Sequence, residues 1–326
     1  MRIESFEIRG LYDRYSFICK PDAKVNILVG DNGSFKSTLL NILHSILLSK
    51  KLLQKYRIQA ADVTITDPES AISYRTLNGK IAELGKNSQE ENNVTEMLEQ
   101  LKKQISLEHI PDVEVGLEQY GYSLNGNGCI KDAIDTIVRT DFISTFDETH
   151  IAGDETHSLL DIRLAKLQSE YSFYLSDLAK QMTDIIGREG KITKSKLNEI
   201  NRKKDLMLNY INELFSKTGK TLLPDRGNLT FQFKDGHTIT SDSLSAGEKQ
   251  LLIILLTVLL EKEKDYIVFL DEPEISLHIG WQYKLINMLV ELNPHAQFFI
   301  TTHSPGMFSD GWGEKIVYME DITRQA

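Results

Sequence analysis

The chain has 326 residues, of which 41% are hydrophobic and 26% charged, a composition that supports a buried core and excludes disorder as the overall state. A formal net charge of −10 excludes a global basic field for nucleic acid or an anionic membrane, so any such contact must come from a local patch. The only two cysteines, Cys19 and Cys129, exclude a disulfide framework and a four-cysteine zinc site, and they read as reduced thiols in a cytoplasmic protein.

The length predicts about two domains, or one with a large insertion. Charges at Arg2 and Glu4 interrupt the first residues, so no secretory apolar segment is expected there. The first 28 residues alternate as strands do: Ile3, Phe6 and Ile8, then Tyr15 to Cys19, then the apolar run Val25 to Val29. A helical pattern follows from about Lys36 to Leu53, with Leu39, Leu40, Leu43, Ile46 and Leu47 on one face. Residues 78–108 are polar and predict a surface loop leading into a short helix at Met97, Leu98, Leu101 and Ile105. After the loop Asn125 to Gly128, an apolar strand ends at Asp141–Thr145. Helical spacing dominates from Ser158 to Ser216 and breaks at Gly187–Gly190, predicting two helices joined by a Gly-Arg-Glu-Gly turn. Leu160, Leu164, Leu167, Tyr171, Tyr174 and Leu178 form one apolar face; Leu206, Tyr210 and Leu214 form another. From Leu229 onward the pattern reverts to strand, helix and strand. The longest apolar run, Leu251 to Leu260, is about half of what a bilayer requires and predicts a buried helix, not a membrane span.

Between Val29 and the first helix stands Gly30-Asp31-Asn32-Gly33-Ser34-Phe35-Lys36-Ser37-Thr38. Strand, glycine-bearing loop and helix in that order give phosphate what it needs: backbone N–H groups in a nest, a helix N-terminus, a lysine for the outer phosphates and a hydroxyl for Mg²⁺. Lys36 supplies the cation and Ser37 the hydroxyl. Phe35 departs from the pattern, because glycine usually precedes the lysine. A second segment, Asp265 to Pro273, is an apolar strand ending in two carboxylates. Asp271 suits Mg²⁺, and Glu272 suits polarisation of an attacking water. Leu244-Ser245-Ala246-Gly247-Glu248-Lys249-Gln250 precedes the long apolar helix and offers a second anion site at a helix start. Finally, Phe298 to Ser304 is a strand ending in His303, placed to contact a γ-phosphate. Any one of these features is commonly just a capped polar group. All four in this order define a nucleotide site.

These residues resemble the ATP-binding-cassette (ABC) ATPases, in the soluble branch related to the chromosome-maintenance (SMC), Rad50 and RecF proteins. The resemblance covers roughly residues 1–55 and 225–320. It implies an α/β fold, a P-loop ATPase core of mixed sheet and helices with an inserted helical hairpin, that binds and hydrolyses ATP with Mg²⁺. The ATPase core would comprise 1–55 and 225–326, with 56–157 its remainder carrying variable loops and 158–224 the hairpin. By similarity, Asp31, Asn32, Gly33, Ser34, Phe35, Lys36, Ser37 and Thr38 bind ATP, and Ser37 and Asp271 hold Mg²⁺. Glu272 is the catalytic glutamate, His303 the switch histidine, and Glu274–His278 the segment at the dimer seam. Ser245, Ala246, Gly247 and Glu248 are the signature motif, with Ala246 replacing the commoner glycine. The resemblance implies a homodimer or larger ring in which each signature serine reaches the phosphate held by the other chain. The family's glutamine ligand to Mg²⁺ has no counterpart in Ser144–Glu148; Tyr12 and Tyr15 are candidates to stack adenine, with simple sheet packing as the alternative.

The run Glu274 to His278 followed by Trp281-Gln282 is similar to that of bacterial phage-defence ATPases, including the PARIS, Septu and overcoming-lysogenization groups. There the ATPase senses or gates while a nuclease does the damage. That resemblance implies a separate effector here, a toprim or HNH nuclease. From Ile186 to Lys204 the chain carries Arg188, Lys191, Lys194, Lys196, Arg202, Lys203 and Lys204 against Glu189 and Glu199, a net +5 that suits phosphate backbone or an acidic partner. The alternative function is a DNA repair or recombination ATPase clamping duplex. Helices of about 25 residues, roughly 38 Å long, the lack of a Cys-x-x-Cys hook and a chain end about 20 residues beyond His303 favour gating.

Overall fold

The computed structural model describes residues 2–48, 56–67, 70–77, 113–118, 121–126, 139–144, 158–223 and 229–325. The polar segment 78–108, Cys129 and residues 145–148 lie outside the described residues.

A parallel sheet of five strands carries the site. Its strands are β3 (Val25–Val29), β8 (Thr140–Ser144), β12 (Ile267–Asp271), β13 (Gln297–Thr301) and β14 (Ile316–Tyr318), in the order β14-β3-β13-β12-β8. β12 and β13 are buried at every position, as parallel strands covered on both faces must be. Alternate residues serve different cores: Val268, Leu270, Phe298 and Ile300 join one cluster, and Ile267, Phe269 and Phe299 the other.

The second cluster lies under a seven-stranded antiparallel sheet built from β1 (Arg2–Leu11), β2 (Tyr15–Cys19), β4 (Ala60–Asp67), β5 (Ser70–Leu77), β6 (Val113–Glu118), β7 (Gly121–Gly126) and β15 (Thr323–Gln325). Between the sheets runs α1 (Lys36–Leu47), burying the predicted Leu39, Leu40, Leu43, Ile46 and Leu47. A three-stranded sheet of β9 (Lys220–Leu222), β10 (Thr230–Phe233) and β11 (Thr238–Thr240) completes the strands.

The other face of the parallel sheet is covered by α2 (Leu159–Glu189), α3 (Lys194–Phe215), α4 (Ala246–Leu260) and α5 (Ile279–Leu292). α4 is the expected buried helix, closed on nearly every side. Among the described residues no helix is long and apolar enough to cross a membrane.

The helical pair departs from expectation at its turn. α2 continues through Gly187 to Glu189, and its cap is Gly190, with φ +74°, in the left-handed region glycine adopts without strain. Thr193 then caps α3 through its hydroxyl, so the turn is 190–193. The helices have 31 and 22 residues, not equal lengths. α2 buries Leu164, Leu167, Tyr171, Tyr174 and Leu178 as predicted, but the buried face of α3 centres on Met207, Ile211, Leu214 and Phe215. Leu206 and Tyr210 lie only partly buried at its edge.

The basic tip is also corrected. Lys203 is buried, donating to the Glu291 carbonyl at 2.6 Å and pairing with Glu263 at 2.8 Å. Arg202 shares Glu263, Lys196 meets Glu189, and Lys204 lies 3.7 Å from Asp205. Four of the seven cations are therefore committed to neighbours, and for Arg202, Lys203 and Lys204 those neighbours lie outside the stretch that linear charge counting weighs. Arg188, Lys191 and Lys194 are exposed and have no carboxylate partner among the described residues.

Candidate nucleotide site

The carboxyl ends of β3, β12 and β13 meet at one edge of the parallel sheet, where ligands of open α/β sheets bind. Asp271 pairs in register with Thr301, and Thr301 with Leu28. The register brings residues more than 230 positions apart into contact. Ser37 donates its hydroxyl to Asp271 Oδ1 at 2.7 Å, and Thr301 Oγ1 donates to the same oxygen at 2.7 Å. Thr301 Oγ1 also accepts the Glu272 N–H at 2.9 Å. Glu272 sits at φ +47°, a costly conformation for a side-chain-bearing residue and one concentrated at functional sites. Its Oε1 lies 3.6 Å from His303 Nε2. Glu272, Asp271, Ser37, Lys36 and His303 are thus brought together as expected.

Lys36 is 5% exposed and donates Nζ to the carbonyls of Gly30 and Asp31 at 2.8 and 3.1 Å. Burial lowers its ammonium below the usual lysine value, opposed by Glu272, Asp271 and Asp31. The fit to a nucleotide is good. A buried cation faces its own loop, Gly33 is open with nothing within 4 Å of a would-be Cβ, and Ser34 Oγ is a buried hydroxyl without a partner. Ser37 and Asp271 offer the hard oxygens Mg²⁺ prefers.

Phe35 caps α1 at φ +69° without a side-chain cap bond. That left-handed value explains why glycine is usual there. Its ring turns away from the loop and packs 4.8 Å from Tyr15, 6.0 Å from Tyr12 and 6.3 Å from Phe17, between ring centroids. Tyr12 and Tyr15, the aromatics considered for adenine, are thus engaged with Phe35. Phe35→Gly trades lost ring packing for relief of the left-handed backbone. It is expected to lower stability by about 1–3 kcal/mol without faster turnover. Thermal unfolding and steady-state kinetics check this; faster turnover at an unchanged Tm would contradict it.

Ser245 caps α4 in a reciprocal box. Its hydroxyl accepts from the Glu248 N–H, while its N–H and hydroxyl donate to Glu248 Oε2 at 3.0 and 2.9 Å. Burial would raise the Glu248 carboxyl, but Lys220 and Ser245 outweigh it and hold the group below the usual range. Glu248 therefore faces its own chain, with Lys220 Nζ 2.8 Å from both oxygens and the Thr218 hydroxyl at 3.1 Å. Lys249 bonds Asp161 in the first turn of α2 at 2.6 Å. Adjacent signature residues so hold both legs of the hairpin, one where α2 begins and one just past α3. Gly247 packs so closely on the next loop that a Cβ there would lie 2.2 Å from the Ser276 carbonyl oxygen.

Sequence reasoning did not assign a role to Thr301, Thr302, Glu274 alone, Gln282 or Lys220. Thr301 and Thr302 were legible only as the strand end before His303, and Lys220 carried no signal.

Residues 25–309 match the family described as "AAA domain, putative AbiEii toxin, Type IV TA system", and the chain belongs to that family. The SMC head domain from Thermotoga maritima has the same fold, with a TM-score of 0.50, 16% identity and coverage of 95% of this chain and 92% of that one. A Pyrococcus furiosus Smc head with an extended coiled coil, bound to the C-terminal domain of ScpA, gives a TM-score of 0.51 at 15% identity over 99% and 95% of the two chains. "Retron Vc95 probable ATPase" of Vibrio cholerae serotype O1 biovar El Tor is 30% identical over 100 residues, 27% of this chain. The chain spans about one fifth of the length of that curated relative. Family and fold together define an AAA-domain protein with the architecture of an SMC head.

Proposed function

We propose that this chain binds ATP with Mg²⁺ at Asp31–Thr38, hydrolyses it between two copies, and uses the cycle to gate a separate nuclease of the toprim or HNH type in anti-phage defence. Backbone N–H groups of Asp31 to Phe35 and the start of α1 at Lys36, Ser37 and Thr38 surround the phosphates, with Lys36 neutralising the outer ones. Ser37 and Asp271 hold Mg²⁺, which when bound withdraws charge from the phosphates being separated. Glu272 takes the proton of the attacking water, and His303 stands beside it against the γ-phosphate. Ser245, Ala246, Gly247 and Glu248 of the second copy close the site, Glu248 by holding Ser245 in place. The core formed by 1–55 and 225–326, with 56–157, does the chemistry, and 158–224 carries the signal.

The observation that carries this reading is the double attachment of the signature. Lys249 holds the first turn of α2 and Glu248 the segment just past α3, so closure that moves the signature pulls on both ends of the hairpin. The exposed apolar residues Ile275, within the seam segment, and Ile279 and Tyr283, just after it, support burial by a second copy. The family's description and the retron relative's name support the defence setting.

Reversal of Arg188, Lys191 and Lys194 to glutamate, which spares the committed cations, is expected to leave ATP turnover within about twofold while abolishing co-purification of the nuclease. The same variant titrated on bare duplex across salt tests the alternative. A steep salt dependence in the wild type, lost in the variant, supports the repair and recombination reading instead.

A further inference from the structure

We infer that Glu274 is the positioning residue of His303: its buried carboxylate fastens the loop after β13 and thereby sets where the histidine ring stands relative to Glu272. The inference rests on the reading of Glu272 and His303 as the hydrolytic pair. Glu274 lies two residues beyond Glu272 and is 9% exposed. Its Oε1 accepts the Thr302 hydroxyl at 2.7 Å and the His303 N–H at 2.8 Å. The Thr302 hydroxyl in turn accepts the Ser304 N–H at 2.9 Å. Three consecutive residues therefore hang from one carboxylate oxygen.

The other oxygen, Oε2, is buried without a hydrogen-bond partner. A buried carboxylate oxygen with no donor opposes folding, so this side chain is poorly suited to the position as a stabiliser alone. It is well suited as a carboxylate acceptor shared by one O–H and one N–H. Gln282 of α5 laces the same loops from the other side. Its Nε2 donates to the carbonyls of Glu274 and Leu277 at 3.3 and 3.0 Å, and its Oε1 accepts the Ser304 hydroxyl at 2.6 Å. The loop carrying Glu272 and the loop carrying His303 are thus joined by two side chains whose hydrogen bonds go to the backbone and to hydroxyls, not to the histidine ring. With the His303 N–H fixed, the backbone from which the ring reaches to within 3.6 Å of Glu272 Oε1 is held in place.

The test uses the full chain and steady-state ATP turnover. Glu274→Ala is expected to lower kcat roughly 10- to 100-fold, the scale of a misplaced catalytic group, with KM for ATP changed less than about threefold. Glu274→Gln keeps an acceptor oxygen and is expected to restore kcat to within about threefold. The double variant Glu274→Ala/His303→Ala should be no slower than His303→Ala alone, because the two act as a unit. Additive losses, a Glu274→Gln variant as slow as Glu274→Ala, or a raised KM at unchanged kcat would overturn the clamp. If Glu274→Ala does not fold, Thr302→Val and Glu274→Gln carry the test. Thr302→Val, nearly isosteric, should then lower kcat at an unchanged KM, and a wild-type kcat would overturn the inference. If His303→Ala is slow while Glu274→Ala is not, only the clamp falls. If His303→Ala turns over at the wild-type rate, the role given to His303 falls and takes the clamp with it.

Discussion

Glu272→Gln is expected to bind ATP with near wild-type affinity, to hydrolyse it about 10²- to 10⁴-fold more slowly, and to accumulate as an ATP-dependent dimer or larger ring. The side chain keeps its size and its contact with His303, so the left-handed backbone at φ +47° need not change. It loses only the ability to take a proton. Hydrolysis is the step that would reopen the assembly, so blocking it stores the closed state. Light scattering on the variant with and without ATP·Mg²⁺ measures this, with Lys36→Ala as the control that should remain open. A mass that is monomeric under both conditions would overturn the two-copy site.

Among the described glycines, Gly247 is where an added methyl is expected to cost most, so Gly247→Ala should be strongly disruptive. The added carbon would sit 2.2 Å from the Ser276 carbonyl oxygen, well inside contact distance, and Ser276 is itself at φ +68° with little freedom to retreat. Either the first turn of α4 shifts, opening the Ser245–Glu248 box, or the loop bearing Glu274 does. Overpacking of this kind costs about 1–3 kcal/mol, and turnover and dimerisation should fall further than stability alone explains. Gly187→Ala is the matched control. It lies within α2 with nothing within 4 Å of the new carbon and should stabilise by about 0.5–1 kcal/mol. If the two variants melt alike and turn over alike, the close packing of signature on seam loop has no consequence.

The parts of the site that were legible in the sequence are those encoded locally. A strand ending at Val29, a loop and a helix opening at Lys36 are written in consecutive residues, and Ser245 with Glu248 three positions later is a capping signature in its own right. The direction of the Phe35 ring was also inferable, because the strands around it are apolar. What escaped was set by contacts across sequence. The acceptance of the Thr302 and His303 donors by Glu274 depends on the parallel register of β12 and β13. The neutralisation of Arg202 and Lys203 depends on Glu263, about 60 positions away, so a run that counts as basic in the sequence is partly internal in the fold. The hairpin turn was misplaced by three residues because two glycines bracketed it, and only the backbone angle tells which of them caps the helix.

The placement of β3 in its sheet bears on how the protein is made. β3, which leads into the phosphate loop, pairs only with β13 and β14, and the Gln297 side chain binds the Ile3 N–H from 294 positions away. Ribosomes add about 5–20 residues per second, so roughly 13–54 s separate the emergence of this strand from that of its first partner. Such distant pairing also slows closure of the sheet once all strands exist. Throughout that interval the nascent chain carries every residue of the phosphate-binding motif on a strand that has no neighbour. Synthesis halted anywhere before β13 leaves the motif intact and the site unbuilt.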